Sequence, residues 1–98
     1  MDQYMDPKMY ENMIQALQTF ATQTAQATEN LRGVSAKCKQ VLGENDLVTT
    51  KMDPYVNDIA KHYDAAGQEA RRIIGLMQQE LDEYYKKIKR ELENQDSE

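Results

Sequence analysis

Few residues in this 98-residue chain are of a type that does chemistry, and their spacing offers no catalytic arrangement. His62 is the only histidine, and it lies four residues after Asp58, one helical turn away. A metal site at this pair needs two further ligands from elsewhere in the chain. We therefore expect His62 to be an exposed helical residue that pairs with a carboxylate.

The single cysteine, Cys38, falls in line with apolar residues at helical spacing. A lone cysteine excludes an internal disulfide framework, and no base lies near it in sequence to activate it as a nucleophile. The expected role is a small buried side chain. The sequence also contains no Glu-x-x-His pair of a di-iron bundle and no glycine-rich phosphate loop. We expect no enzyme activity and no bound cofactor or metal.

One basic cluster, Lys86-Lys87-x-Lys89-Arg90, interrupts an acidic chain of net charge -5. Acidic residues surround it, which favours a solvated face of mixed charge. A nucleic-acid-binding protein needs positive charge to displace counterions from phosphates, so we expect no nucleic-acid partner. No stretch approaches the roughly 20 apolar residues that cross a bilayer, so we expect no membrane insertion.

The N-terminal residues have neither the positive charge nor the apolar run of a signal peptide. We expect synthesis in the cytoplasm, and export by a leaderless route stays open.

The elements that position these residues are predicted to be helices. Gln, Glu, Ala, Lys, Met and Leu dominate the sequence, and these residues favour helices. Asp6-Pro7 is a helix start, and Gly43 is expected to be a left-handed C-cap. These signals predict a first helix over residues 7–42.

A second Asp-Pro pair, Asp53-Pro54, predicts a second helix over residues 54–93, with a turn over 43–53 and a frayed tail over 94–98. Within the turn, residues 47–52 read either as an early helical turn capped by Asp46 or as an extended linker, and the helical turn is favoured. The fold class is all-α: one domain, an antiparallel two-helix hairpin.

Apolar residues in both predicted helices recur at alternating steps of three and four, which keeps one stripe facing a partner helix. The stripe runs from Tyr10 to Val41, then from Val56 to Met77, slips by one residue, and continues from Leu81 to Leu92. The predicted interface residues of this seam are Met13, Leu17, Phe20, Leu31, Val34, Val41, Ile59, Tyr63, Ile73, Met77, Leu81 and Tyr84. Gly43 and Asp46 are the predicted turn residues.

Both helices also carry apolar residues outside that stripe. A stripe wider than one seam is typical of a helix with two neighbours, as in a four-helix bundle. We expect the hairpin to pair with a second copy, or with a related helical hairpin, through a second face. The candidates for this face are Met9, Ile14, Ile74, Leu76 and Tyr85.

Two helices of nearly equal length, about one hundred residues, a glycine-containing central break and no signal peptide resemble the WXG family. These are the small ESAT-like proteins exported by type VII secretion systems. The segment Tyr63-Asp64-Ala65-Ala66-x-Gln68-Glu69 is similar to divergent members. The family's Trp-x-Gly turn is absent, because Gly43-Glu44-Asn45-Asp46-Leu47 stands in its place. The trailing Tyr-x-x-x-Asp/Glu export signal is also absent, since Ile88 and Lys89 follow Tyr84 and Tyr85 at that spacing.

The resemblance implies a dimeric hairpin that is a secreted substrate, or the partner or chaperone of an effector, and that binds an effector or a component of the secretion machine. Two alternatives stay open. One is an intracellular coiled-coil adaptor or assembly subunit with no secretion role, and the other is a phage or structural hairpin.

Overall fold

The computed structural model describes residues 6–96, which form two α-helices packed against each other as an extended antiparallel hairpin. Helix α1 spans Pro7–Leu42 and helix α2 spans Leu47–Asp96. The hairpin measures 79 × 23 × 15 Å. The predicted all-α hairpin is confirmed. No helix among the described residues has an apolar stretch that is long enough to span a bilayer.

Local signals set both ends of α1. The Asp6 carboxylate accepts hydrogen bonds from the backbone N–H groups of Lys8 and Met9, at 3.0 and 3.4 Å. At the other end, the Gly43 N–H donates to the Lys39 carbonyl at 3.0 Å. Gly43 has φ 93° and ψ 158°, not the left-handed helical values that were expected. This backbone conformation is open essentially only to glycine.

Helix α2 begins at Leu47. The favoured helical reading of residues 47–52, with Asp46 as the cap, is therefore confirmed, whereas the predicted helix start at Pro54 and a turn reaching to residue 53 are wrong. Asp46 caps the helix: its carboxylate accepts from the Val48 N–H and its carbonyl from the Thr50 N–H, both at 2.9 Å. Pro54 lies inside α2. The helix also continues through Asp96, beyond the predicted end at residue 93, and the last two residues of the predicted frayed tail lie outside the described range.

The residues buried between the two helices follow steps of three and four along each helix, and we call them the core seam. In α1 they are Tyr10, Ile14, Leu17, Ala21, Thr24, Thr28, Leu31, Ser35 and Cys38; in α2 they are Thr49, Asp53, Val56, Ala60, Tyr63, Gly67, Ala70, Ile74, Met77, Leu81, Tyr84 and Ile88. All are buried or half-buried except Tyr63, which is partly exposed. The steps are regular through α2, so the slip predicted after Met77 does not occur.

The core seam differs from the predicted seam at every second position. Four predicted seam residues are exposed: Met13, Phe20, Val34 and Val41. Ile73 is also partly exposed, and Ile59 is half-buried beside the core seam. In contrast, Ile14 and Ile74, predicted for the second face, are buried between the helices.

Small side chains explain this difference. The middle of the core seam contains Ala21, Ala60, Gly67 and Ala70, which allow the helices to approach closely. A Cβ added at Gly67 would lie 3.0 Å from Thr24 Oγ1 and 3.9 Å from the Ala21 carbonyl oxygen. At Phe20-Ala21, Val34-Ser35 and Ile59-Ala60 the predicted seam used the larger side chain of the pair, whereas the helices pack through the smaller one.

Candidate partner-binding face

Each helix also carries a column of apolar residues at intervals of seven, beside the core seam. Each residue of the column comes immediately before a residue on the line of the core seam, as Met13 comes before Ile14. In α1 the column is Met13, Phe20, Ala27, Val34 and Val41; in α2 it is Met52, Ile59, Ala66 and Ile73. In an antiparallel heptad pair, equivalent flanking columns lie on the same side of the seam. We call these nine residues the apolar face.

The register of the hairpin arranges the apolar face in layers. The Tyr10 hydroxyl donates to the Glu80 carboxylate at 2.7 Å, and Gly67 lies against Thr24. This register brings Phe20 level with Ile73, Ala27 level with Ala66, and Val34 level with Ile59. A layer of two small residues therefore lies between two layers of large ones.

Five of the nine residues of the apolar face are exposed to solvent and the other four are half-buried. Phe20 is 44% exposed, Val34 is 46% exposed and Val41 is 66% exposed. Four more exposed residues continue it outward by one helical turn: Met9, Val48, Tyr55 and Leu76. Among the described residues, nine of the fourteen exposed large apolar side chains lie in or beside this face, so the exposed apolar surface is concentrated on one side.

The opposite side of the core seam is closed by polar contacts between the helices, and we call it the polar flank. Arg32 and Asp64 approach to 3.8 Å across it. Tyr85 also lies on the polar flank, where burial and the neighbouring Glu11 carboxylate raise its pKa. Tyr85 is therefore exposed on the opposite side of the core seam from Leu76, so the two do not share one face, and its contact with a partner stays a prediction. Tyr84 belongs to the core seam, and its ring lies 5.8 Å from that of Tyr85.

The polar flank ends in a three-residue cluster near the hairpin tip. The Asp53 carboxylate accepts a hydrogen bond from the Ser35 hydroxyl and pairs with the Lys39 ammonium at 2.8 Å. The hydrogen bond from Lys39, followed by the one from Ser35, lowers the pKa of Asp53. In return, the hydrogen bond to Asp53 and its negative charge raise the pKa of Lys39. No sequence pattern predicted this cluster, because Asp53 has the local pattern of a helix cap.

The two residues considered for chemistry lie in different surroundings, since His62 is exposed on α2 and Cys38 is half-buried on α1. Nδ1 of His62 lies 3.1 Å from the backbone carbonyl oxygen of Asp58, whereas a contact with a carboxylate was expected. Cys38 is a half-buried free thiol in the core seam. Within residues 6–96, no three His, Cys, Asp or Glu side chains form a group that could hold a metal ion.

The basic cluster is part of a surface of mixed charge. Lys86 pairs with Asp82 at 3.1 Å across one helical turn. The Arg90 guanidinium contacts the Lys86 carbonyl at 3.5 Å. These contacts agree with the expected solvated face, because both basic groups are engaged within α2.

Comparisons with known proteins add no relative: no family model, no curated protein sequence and no solved structure matches this chain. The arrangement of its own residues is therefore the basis for any statement about function. Sequence reasoning missed Met52 as a member of the apolar face, although its seven-residue spacing from Ile59 was a usable signal.

Proposed function

We propose that this chain is a non-enzymatic protein-interaction hairpin whose apolar face packs against a second helical hairpin to form a four-helix bundle. The observation that carries the proposal is the asymmetry of the two sides. One side has its own interhelical ion pairs, whereas the other presents two adjacent columns of apolar side chains to solvent.

The size of this surface supports a stable partner. The five exposed residues of the apolar face and the four exposed residues beside it together present roughly 800 Å² of surface per copy, as judged from their fractional exposures. A standard interface buries about 800 Å² on each partner.

A second copy of this chain is the partner that we favour. Closed homodimers use the same patch on both subunits, so the patch must be complementary to itself. The layered arrangement is compatible with a two-fold axis, because the large layers at Phe20 and Val34 lie on either side of the small layer at Ala27. A related hairpin with the same layering is the other candidate.

For the biological setting we propose a role in a type VII-like secretion system, as a secreted substrate or as the partner or chaperone of an effector. This proposal rests on the resemblance to WXG proteins. The hairpin of two long helices joined near mid-chain supports it. The helix lengths do not, because α2 has 50 residues and α1 has 36, whereas the resemblance rested on nearly equal lengths. An intracellular coiled-coil adaptor is the second candidate, and the same apolar face would serve it.

Affinity capture from the native host tests the interaction role. A tagged wild-type chain is compared with a Phe20→Glu, Ile73→Glu variant, which places two charges on the apolar face, and with Leu92→Glu, an exposed site away from that face. We expect a helical partner, or the untagged chain itself, with the wild type and with Leu92→Glu but not with the double variant. Equal recovery by all three baits would contradict the proposed binding face.

The secretion role needs a separate experiment. The chain is quantified in culture medium and in cell lysate from the native host, with a cytoplasmic enzyme as the lysis control, and again after deletion of the secretion ATPase. We expect the wild-type host to release the chain and the deletion to prevent release. Retention in cells of both strains would leave the intracellular adaptor as the role.

A further inference from the structure

Two aspartates in the second half of the hairpin are placed to start a helix, but only one does so. Asp46 caps α2 in the structure. Asp53 precedes Pro54, the same arrangement with which Asp6 and Pro7 start α1. The Asp53 carboxylate, however, is engaged by Ser35 and Lys39 of α1.

The backbone around Pro54 weakens the link between the first turns of α2 and the rest of it. A proline inside a helix removes one backbone hydrogen bond, because it has no N–H, and its ring crowds the carbonyl of the preceding turn. The residue before a proline is also disfavoured in the helical conformation. Both effects fall at Asp53-Pro54 and favour a helix that begins there.

Residues 47–53 are held to α1 by few contacts. Leu47 is 70% exposed, and Val48 is also exposed. The anchors are the buried Thr49, whose hydroxyl donates to the Cys38 carbonyl at 3.3 Å, and the Asp53 carboxylate with its two partners on α1. Segments with few buried contacts open at lower free energy than the core.

We infer that residues 47–53 are a detachable segment and that α2 switches between a start at Leu47 and a start at Pro54. In the second state the Asp53 carboxylate leaves Ser35 and Lys39 and accepts the N–H groups of Tyr55 and Val56, as Asp6 accepts those of Lys8 and Met9. The connection between the helices then lengthens from residues 43–46 to residues 43–53. This device would let a partner reshape the hairpin tip without unfolding the hairpin.

Amide hydrogen exchange, resolved by residue, tests the switch in the full chain and also in the Phe20→Glu, Ile73→Glu variant, because Met52 and Val48 of the segment lie in or beside the apolar face. The amides of residues 51–53 lose their helical acceptors in the second state, whereas those of residues 58–60 keep theirs. We expect protection factors at least about tenfold lower at residues 51–53 than at 58–60. Pro54→Ala should raise protection at 51–53 by about tenfold or more, because it restores the missing N–H.

Two further variants separate detachment from general loss of stability. Asp53→Asn keeps a good capping side chain but breaks the ion pair with Lys39, so it should lower protection at residues 51–53 and leave 58–60 nearly unchanged. Arg32→Ala breaks another interhelical ion pair and should leave residues 51–53 unaffected. Equal protection of the two sets of amides in the wild type, or no response to Pro54→Ala, would overturn the inference.

Discussion

At the scale of single residues, small side chains control how closely the two helices pack. Gly67 is buried in the core seam, where Thr24 lies against it and the Thr24 hydroxyl donates to the Ala21 carbonyl at 2.9 Å. Gly75 lies on the same helix, and a Cβ added there would meet nothing within 4 Å. The two glycines therefore separate the effect of packing from the effect of helix propensity.

Replacing each glycine with alanine measures that packing. Gly75→Ala should raise the free energy of unfolding by about 0.5–1 kcal/mol, the usual gain from alanine in a helix. Gly67→Ala should gain less or destabilise the fold, because its Cβ would crowd Thr24 Oγ1. Chemical denaturation of both variants gives the comparison. Equal gains at the two positions would show that the helices do not pack closely at Gly67.

Two buried threonines allow a second matched comparison. Thr28 and Thr49 are each 2% exposed, but the Thr28 hydroxyl has no hydrogen-bond partner whereas the Thr49 hydroxyl donates to the Cys38 carbonyl. Thr28→Val should stabilise the fold by about 1 kcal/mol, because it removes an unsatisfied buried group. Thr49→Val should stabilise it less or destabilise it. Thermal unfolding of the two variants measures the difference, and the reverse order would contradict the assignment of these contacts.

At the scale of the helices, the sequence correctly predicted those helix ends that are determined by contacts between residues close together in the chain. The Asp6 cap, Pro7 and the break at Gly43 all act within one turn of the chain, and α1 runs between them. The Asp46 cap is also local, and the helical reading of residues 47–52 that it suggested is confirmed. The start assigned to Pro54 was wrong because Thr49 and Asp53 bind residues of α1 that are 11 and 18 positions away. Local sequence signals contain no information about such contacts.

The choice of seam residues could not be read from periodicity either. Met13 and Ile14 are neighbouring apolar residues, and a step pattern of three and four can pass through either of them. The same ambiguity occurs at Ile73 and Ile74. Close packing around Gly67 selects Ile14 and Ile74 for the core seam, and this selection requires both helices to be considered together.

The cluster that holds the first turns of α2 should make that end of the helix sensitive to acid. Because the folded-state pKa of Asp53 is lowered from 3.8, its contribution to stability is complete above that value and is lost as the pH falls through the lowered value. The stability difference between the wild type and Asp53→Asn should therefore shrink as the pH falls from about 6 to about 2. Urea unfolding at several pH values measures this difference. A difference that does not change with pH would mean that the Lys39–Asp53 pair contributes nothing.

At the scale of the whole molecule, the hairpin has a small core for its length. Among the described residues, the buried apolar side chains are Ile14, Ala21, Val56, Ala60, Ala70 and Ile74, and half of them are alanines. A chain of about this length buries a limited share of its surface when it folds alone. Packing against a partner would add the large side chains that the core lacks.

If folding is coupled to pairing, the melting temperature must depend on concentration. For a dimer, mass action raises Tm as the chain concentration rises. We expect Tm, followed by circular dichroism, to rise over a hundredfold range of wild-type concentration. In the Phe20→Glu, Ile73→Glu variant, Tm should be lower and independent of concentration. A wild-type Tm that stays constant would mean that the isolated hairpin is the stable unit.

Sedimentation equilibrium at about 50 µM tests the proposed bundle most directly. The account predicts that the wild type and Leu92→Glu sediment at twice the 11.4 kDa mass of one chain, and that the Phe20→Glu, Ile73→Glu variant sediments as a helical monomer. A wild-type chain that sediments only as a monomer would contradict self-association through the apolar face. A double variant that still sediments as a dimer would place the contact elsewhere on the hairpin.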